Sequence, residues 1–496
     1  METELGTFIN DFGKLARLAL TELDQVADGN ALLDAITAHM GVPAAEVSVV
    51  VEAIPAHRLV DLDILMESMA GRDPAQRLLG IGGGDQRNHM SLSDMIGQSL
   101  MFARFPLGQP DFKNLATGPD EQRQVVALGL RLFSYNGKPL VVLQRDATPE
   151  FGRQGASLEV VAAQPADAAG FLAEVRREME RSSVFKGQVI ALAVSDYGPS
   201  VGGVAFIRRP SLAGSDVILP DGVLESVEDH TLGIARQAET LMAHGQHLKR
   251  GLLLYGPPGT GKTHTVRYLL SQSEGTTAVL LSGGSLAQIS EATKMARALA
   301  PSIVVLEDCD LIAEDRSFGN GMQPLLFEVL DAMDGLDSDA NVAFVLTTNR
   351  VDMLERALAQ RPGRVDLAVE IPLPSEHERT ELLRLYSREL QFSPAALAAA
   401  ATRTAGTTAS FAKELIRRAV VAAALAGEAP GDSHLEVAVN RLMAEGEALT
   451  RSLLGSEADS GRHGQGGPDG QPGFGQGFGP GFDQGFDPGL GSPEMA

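Results

Sequence analysis

The chain has 496 residues, a hydrophobic content of 44%, one cysteine and a formal net charge of −23. That length accommodates roughly three domains of about 150 residues, and no apolar run approaches the ~18 residues of a membrane span, so no membrane partner is expected. So acidic a chain repels phosphate backbones. Its Lys/Arg clusters do not exceed pairs such as Arg208-Arg209 and Arg417-Arg418, so nucleic acid is not an expected partner either.

The opening stretch "METELGTFIN" has neither a basic n-region nor an apolar h-region, and no signal peptide is expected. The lone Cys309 has no intramolecular disulfide partner and fits a reducing compartment; the expected location is cytoplasmic. Residues 1–75 read as a helical N-terminal segment: Phe8, Phe12, Leu15, Leu18, Leu20 and Leu23 recur at mostly helical spacing, and a second run covers Ala31–Met40. Residues 76–120, rich in Gly, Asp, Asn and Pro, read as loop with one short helix near 92–101, and "GIGGG" (80–84) reads as a turn.

From 121 to 216 the pattern is that of a compact α/β domain. Two β-rich runs flank Asn136-Gly137, a strong short hairpin signal. "LEVVAA" follows, then a helix at about 166–182, then "QVIALAV" and "GVAFI". No spacing in this domain suggests a metal or nucleophile site, and recognition is the role assigned to it. Residues 217–375 alternate strand and helix, which predicts a parallel sheet covered by helices. Residues 376–452 are rich in Ala, Leu, Arg and Glu and read as helices. The tail 456–496 is dominated by Gly, Pro, Gln and Asp and is expected to be disordered. Its Phe474, Phe478, Phe482 and Phe486 recur every four residues, which suits a partner-binding tail as well as an inert solubilising one.

The chemistry concentrates in the alternating region. In "GLLLYGPPGTGKTHTVRYLL" (251–270) an apolar strand runs into Gly256-Pro257-Pro258-Gly259-Thr260-Gly261-Lys262-Thr263, and a helix begins directly after, with His264 in its first turn. This is a P-loop in its required strand–loop–helix setting. The glycines admit backbone N–H groups to the phosphates at the helix N-terminus. Lys262 neutralises the β- and γ-phosphates, and the Thr263 hydroxyl ligates Mg²⁺, so ATP and Mg²⁺ are the expected cofactors. Downstream, the apolar run of "IVVLEDCD" (303–310) ends in Glu307 and Asp308, and the strand "VAFVLTTN" (342–349) ends in Asn349. Adjacent strand residues point to opposite faces, so the two acids take different tasks. Glu307 is assigned to Mg²⁺ through its water shell and Asp308 to the attacking water. Asn349 is a candidate hydrogen-bond donor to that water, or simple turn chemistry. In "RALAQRPGRVD", Arg361 and Arg364 flank Pro362-Gly363, either as fingers reaching a phosphate from a neighbouring subunit or as a surface ion-pair set. Cys309 reads as a small packed residue rather than a redox switch.

Taken in order, "GPPGTGKT" (256–263), the acidic strand end at 307–308, "LLFEVLDAMDGL" (325–336), "TTN" (347–349) and "RPGRVD" (361–366) resemble the AAA clade of the AAA+ ATPases over roughly residues 217–450. "LLLYGPPGTGKT", the Leu-Glu-Asp strand end and "RPGRVD" are most similar to its Bcs1-like branch, although that branch's membrane helix is missing. The resemblance implies a P-loop parallel sheet with a helical lid at 376–452. It also implies a self-assembled ring, commonly a hexamer, with ATP held between subunits. Walker A would be Gly256 to Thr263, Walker B Glu307 and Asp308, sensor 1 Asn349, and the arginine fingers Arg361 and Arg364. The segment "GTTASFAKEL" (406–415) would meet the nucleotide, without a sensor-2 arginine.

The family's order of Walker B acids, Asp then Glu, is reversed here, and "SGGSLAQISEATK" (282–294) lacks the aromatic loop that threading members project into the pore; "AEDRSFGNG" (313–321) offers only Phe318. The leading expectation is an ATP-hydrolysing ring that remodels, disassembles or translocates a protein substrate. The alternative is a slow, nucleotide-gated assembly protein whose ring state is its output.

Overall fold

The computed structural model describes residues 13–15, 31–102, 105–192, 203–309, 331–333, 335, 339–350 and 365–444. Two seven-stranded sheets organise them. The first is wholly antiparallel. Its strands are β1 (Ser48–Ile54), β2 (Arg77–Ile81), β3 (Leu107–Gly108), β4 (Asp111–Ala116), β5 (Gln122–Tyr135), β6 (Lys138–Arg145) and β7 (Ala156–Ala162), in the order β1-β7-β6-β5-β2-β3 with β4 on β5. Helices α1 (Ala31–Met40) and α3 (Leu92–Phe102) pack on one face, and α2 (Leu59–Ala70) and α4 (Pro165–Arg181) on the other.

The near-continuous apolar run of β6 follows from that double burial. Leu140 and Val142 belong to the core beneath α2 and α4, and Val141 and Leu143 to the core beneath α1. The β5–β6 hairpin turns through Asn136 (φ 51°) and Gly137 (φ 75°), the two successive positive φ values that a type I′ turn demands.

The second sheet contains β8 (Val189–Leu192), β9 (Val204–Ile207), β10 (Arg250–Tyr255), β11 (Thr277–Ser282), β12 (Ser302–Glu307), β13 (Val342–Thr348) and β14 (Leu367–Glu370), in the order β14-β10-β13-β12-β11-β8-β9. All neighbours are parallel except β8 and β9. Helix α5 (Lys262–Gln272) covers one face, where Val266 and Leu269 meet Leu252, Leu254, Ile303 and Val305. Helix α6 (Ile289–Ala298) covers the other, among Leu253, Val304 and Leu306. That second apolar cluster continues through Phe185, Ile190 and Leu192 into the core under α2 and α4, so the two sheets share one hydrophobic core. Helices α7 (Glu376–Tyr386), α8 (Pro394–Arg403), α9 (Ala409–Ala426) and α10 (Asp432–Met443) form the expected helical unit around Leu382, Phe411, Leu415 and Leu435.

Several elements depart from the sequence reading. Within the segment expected to be helical, Ser48–Ile54 is a strand paired antiparallel with β7, and its valine triplet reflects β-branched preference for the pleated surface. Within the stretch read as loop, Arg77–Ile81 pairs with β5, so Gly80 of "GIGGG" lies in a strand. A Cβ on Gly80 would fall 1.8 Å from the Gln109 carbonyl oxygen, so the site admits only glycine. β8 and β9, assigned by sequence to the domain ending at 216, belong to the second sheet, where β8 extends it beside β11. The expected disordered tail, Phe8, Phe12 and Phe318 lie outside the described residues. No described helix is long and apolar enough to cross a membrane.

Candidate active site

In an open parallel sheet, ligands bind beyond the carboxyl ends of the strands where the strand order switches direction. Here that place is the end of β10, flanked by β13 and β14. The chain leaves β10 at Gly256, whose φ is 142°, and a Cβ there would sit 2.2 Å from the Ile371 carbonyl oxygen. It enters α5 at Gly261, with φ 118°. Between them the loop is closed by its own side chains. The Thr260 hydroxyl donates to the Pro257 carbonyl at 2.9 Å, and the buried Lys262 ammonium donates to the Gly256 and Pro257 carbonyls, both at 2.8 Å. The loop thus circles a positive charge at the N-terminus of an 11-residue helix, where the helix dipole adds to it.

A cavity of about 440 Å³ opens on this loop. Pro258, Gly259, Gly261, Lys262, Thr263 and His264 line it from the P-loop side, Asp308 and Asn349 from the ends of β12 and β13, and Tyr386, Ser410 and Lys413 from the helical unit. Gly256, Pro257 and Thr260 shape the loop from behind. Of the residues assigned to the chemistry, Lys262, Thr263, Asp308 and Asn349 therefore meet in one place. Arg361 and Arg364 lie outside the described residues. Asp366 of the same motif accepts a hydrogen bond from the Gly251 amide at 2.9 Å and so anchors the start of β10.

The two acids at the end of β12 diverge. Glu307 is half-buried, hydrogen-bonds to Thr263, and lines an adjoining cavity of about 270 Å³ with Val266, Arg267 and Val305. Burial, and then the neighbouring Asp308 charge, push its carboxyl above the usual range; the Thr263 hydrogen bond and the Arg267 charge pull it back. Asp308 is exposed and left-handed, with φ 53°, and its amide donates to Thr347 Oγ1 at 3.0 Å. The Cys309 amide donates to the Thr347 carbonyl at 2.9 Å. These two bonds tie the turn after β12 to β13 and carry the Asp308 carboxylate to the main cavity while Glu307 stays beside Thr263. Buried Cys309 packs in the core cluster under α6, as a small apolar residue would.

The helical unit is fastened directly onto the loop. Thr408 caps α9, its hydroxyl accepting from the Phe411 amide, and the Ser410 amide donates to the Gly259 carbonyl at 3.0 Å. Lys413 lies three residues beyond Ser410 on the same helix face and so reaches the cavity. The sequence reading looked for an arginine here and passed over this lysine. The signal was its spacing from the Gly-Thr-Thr turn. Tyr386 and Arg267 were also missed. His264, expected to bind nucleotide, lines the cavity, and its Nε2 lies 2.9 Å from the Asp216 carbonyl oxygen. Asp216 in turn pairs with Arg388 at 2.6 Å, and Ile218 packs into the core of the helical unit. Among the described residues no group of three or more His, Cys, Asp or Glu side chains is arranged to hold a metal ion. Thr263 and Glu307 do fit Mg²⁺, which is bound through one or two carboxylates, waters and substrate phosphates.

Residues 252–373 match the ATPase family associated with various cellular activities (AAA). The chain is 37% identical over 159 residues to a 26S proteasome regulatory subunit 8 homolog of Schizosaccharomyces pombe, covering 29% of this chain and 39% of the relative. It is 36% identical over 169 residues to 26S proteasome regulatory subunit 8 of Caenorhabditis elegans, covering 31% and 40%. The Saccharomyces cerevisiae homolog is 37% identical over 158 residues, covering 29% and 38%. The chain thus spans about two fifths of the length of these relatives. The Bcs1-like branch expected from the sequence finds no support in them. Motif order, sheet topology and relatives agree, and residues 252–373 form an ATPase domain of the AAA family.

Proposed function

We propose that this protein is a Mg²⁺-dependent ATPase, assembled into a homo-oligomeric ring, that remodels protein substrates in the cytoplasm. The observation that carries this reading is the convergence of Lys262, Thr263, Asp308, Asn349 and Lys413 on one cavity at the carboxyl ends of the sheet. Lys262 and the first turn of α5 bind the phosphates, and Lys413 closes on them from α9. Thr263 and Glu307 hold the metal, which when bound offsets phosphate charge. Asp308 accepts the proton of the attacking water, and Asn349 orients that water. Ring assembly is supported by the relatives being subunits by name and by Arg361 and Arg364 as candidate fingers for a neighbour's site. The antiparallel domain before residue 189, with one core of its own under α1 and α3 and another shared with the second sheet, is the candidate recognition part.

The test is the Asp308→Asn protein in ATP. It is expected to bind ATP, lose turnover by at least about 100-fold, accumulate as a ring by mass, and retain a protein client that the wild type releases. Wild-type turnover together with a monomeric mass contradicts the proposal. The shorter carboxylate at the water position favours a second reading, in which hydrolysis is slow and the ring itself is the product. Strong stimulation of turnover by an unfolded protein excludes that reading.

A further inference from the structure

The end of β12 breaks the register of its ladder with β13. Along that parallel ladder Ser302 pairs with Val342, and the Ser302 amide donates to the Asn341 carbonyl at 3.0 Å. The bonds of a parallel ladder recur every second residue, so continued pairing would bring the Asp308 amide to the Thr347 carbonyl. That carbonyl instead accepts the Cys309 amide at 2.9 Å, one residue later. Asp308 is thus the extra residue of a β-bulge, and its displaced amide donates to the Thr347 hydroxyl oxygen at 3.0 Å. The bulge sets Asp308 at φ 53°. Among the described residues the one other non-glycine with positive φ is Asn136, in the β5–β6 turn. Away from such a turn, a left-handed aspartate persists because its surroundings hold it.

Thr347 is fully buried, so water does not stand in for its hydroxyl. In a regular strand the side chains of residues 307 and 308 would leave opposite faces of the sheet. With the bulge, Glu307 stays beside Thr263 while Asp308 lines the cavity with Lys262, Thr263 and Asn349. Bulges beside active sites re-aim side chains in this way. We infer that Thr347 is a positioning residue for hydrolysis, its hydroxyl holding the bulge that delivers the Asp308 carboxylate to the attacking water. Thr347→Val keeps the branched shape but removes the acceptor. The Asp308 amide then returns to the carbonyl of residue 347, its backbone relaxes to an extended φ, and the carboxylate turns from the cavity. The inference rests on the ATPase reading, because Thr347 acts through Asp308.

The test compares the full-length wild type with Thr347→Val, Thr347→Ser, Asp308→Asn and the double variant Thr347→Val/Asp308→Asn. Thr347→Val is expected to bind a fluorescent ATP analogue as the wild type does. Its kcat is expected to fall by about 10- to 100-fold, the scale of a small misplacement of a reacting group. Thr347→Ser keeps the hydroxyl and is expected to recover most of the rate. In the Asp308→Asn background Thr347→Val is expected to cost nothing further, which a general packing defect would not reproduce. Without nucleotide, hydrogen exchange is expected to show one more fast amide at residues 308–309 in Thr347→Val than in wild type or Thr347→Ser. Thr347→Ala serves the same comparisons if the valine variant fails to fold. Wild-type kcat in Thr347→Val overturns the inference and leaves the ATPase reading standing, and so does an additive loss in the double variant. A wild type without turnover overturns the ATPase reading and this role with it.

Discussion

Glu307 and Asp308 are neighbours in sequence, yet the left-handed backbone at Asp308 gives them separate environments. Glu307→Gln keeps the hydrogen-bonding shape beside Thr263 but removes the charge proposed to hold the metal. It is expected to weaken the Mg²⁺ dependence of hydrolysis, read as a higher Mg²⁺ concentration for half-maximal rate, whereas Asp308→Asn lowers the maximal rate itself. If both variants show the same defect, the division of labour between the two acids is wrong. His57 gives a prediction about stability. Its pKa is about 4 in the folded protein against 6.5 ordinarily, so between those values the unfolded chain binds more protons. Stability therefore rises with pH through that window and is lost as pH falls from 6.5 towards 4. His57→Gln removes this contribution, and its Tm is expected to fall less steeply than the wild type's between pH 6.5 and 4. Parallel Tm curves contradict the assignment.

At the scale of elements, α9 links fold to chemistry, because the turn that Thr408 caps also presents the Ser410 amide to Gly259 and Lys413 to the cavity. Thr408→Ala is expected to cost about 1 kcal/mol of stability through the lost cap. Lys413→Ala leaves that cap intact and is expected to weaken ATP binding about ten-fold, the worth of one charge-assisted contact. Equilibrium unfolding and nucleotide titration separate the two effects. Elements whose signal is local were legible in the sequence. The P-loop, the Asn136-Gly137 hairpin, the helix at 165–181 and the four helices after 376 all carry their spacing or turn chemistry within a few residues. β1 was missed because "SVVVEAI" is short and sits between two helical patterns, and its partner β7 is about a hundred residues away. β8 and β9 were found as strands but placed in the wrong sheet, since nothing local in "QVIALAV" reports pairing with Ala278–Leu280. Lys413 was overlooked because its role depends on how the helical unit docks.

At the scale of the molecule, the described residues place an antiparallel domain and an AAA domain on one shared hydrophobic core, running from Leu62 and Phe171 through Phe185 to Val304 and Leu306. Because that core is continuous, the two sheets are expected to move as one body, and the helical unit, with its separate core, is expected to be the part that shifts with nucleotide. The central claim is that the cavity at the end of β10 hydrolyses ATP. Phosphate release from ATP and Mg²⁺ by the wild type, set against Lys262→Ala, tests it most directly. The account predicts steady turnover by the wild type and loss of nearly all of it in Lys262→Ala. Equal turnover by the two proteins would contradict it.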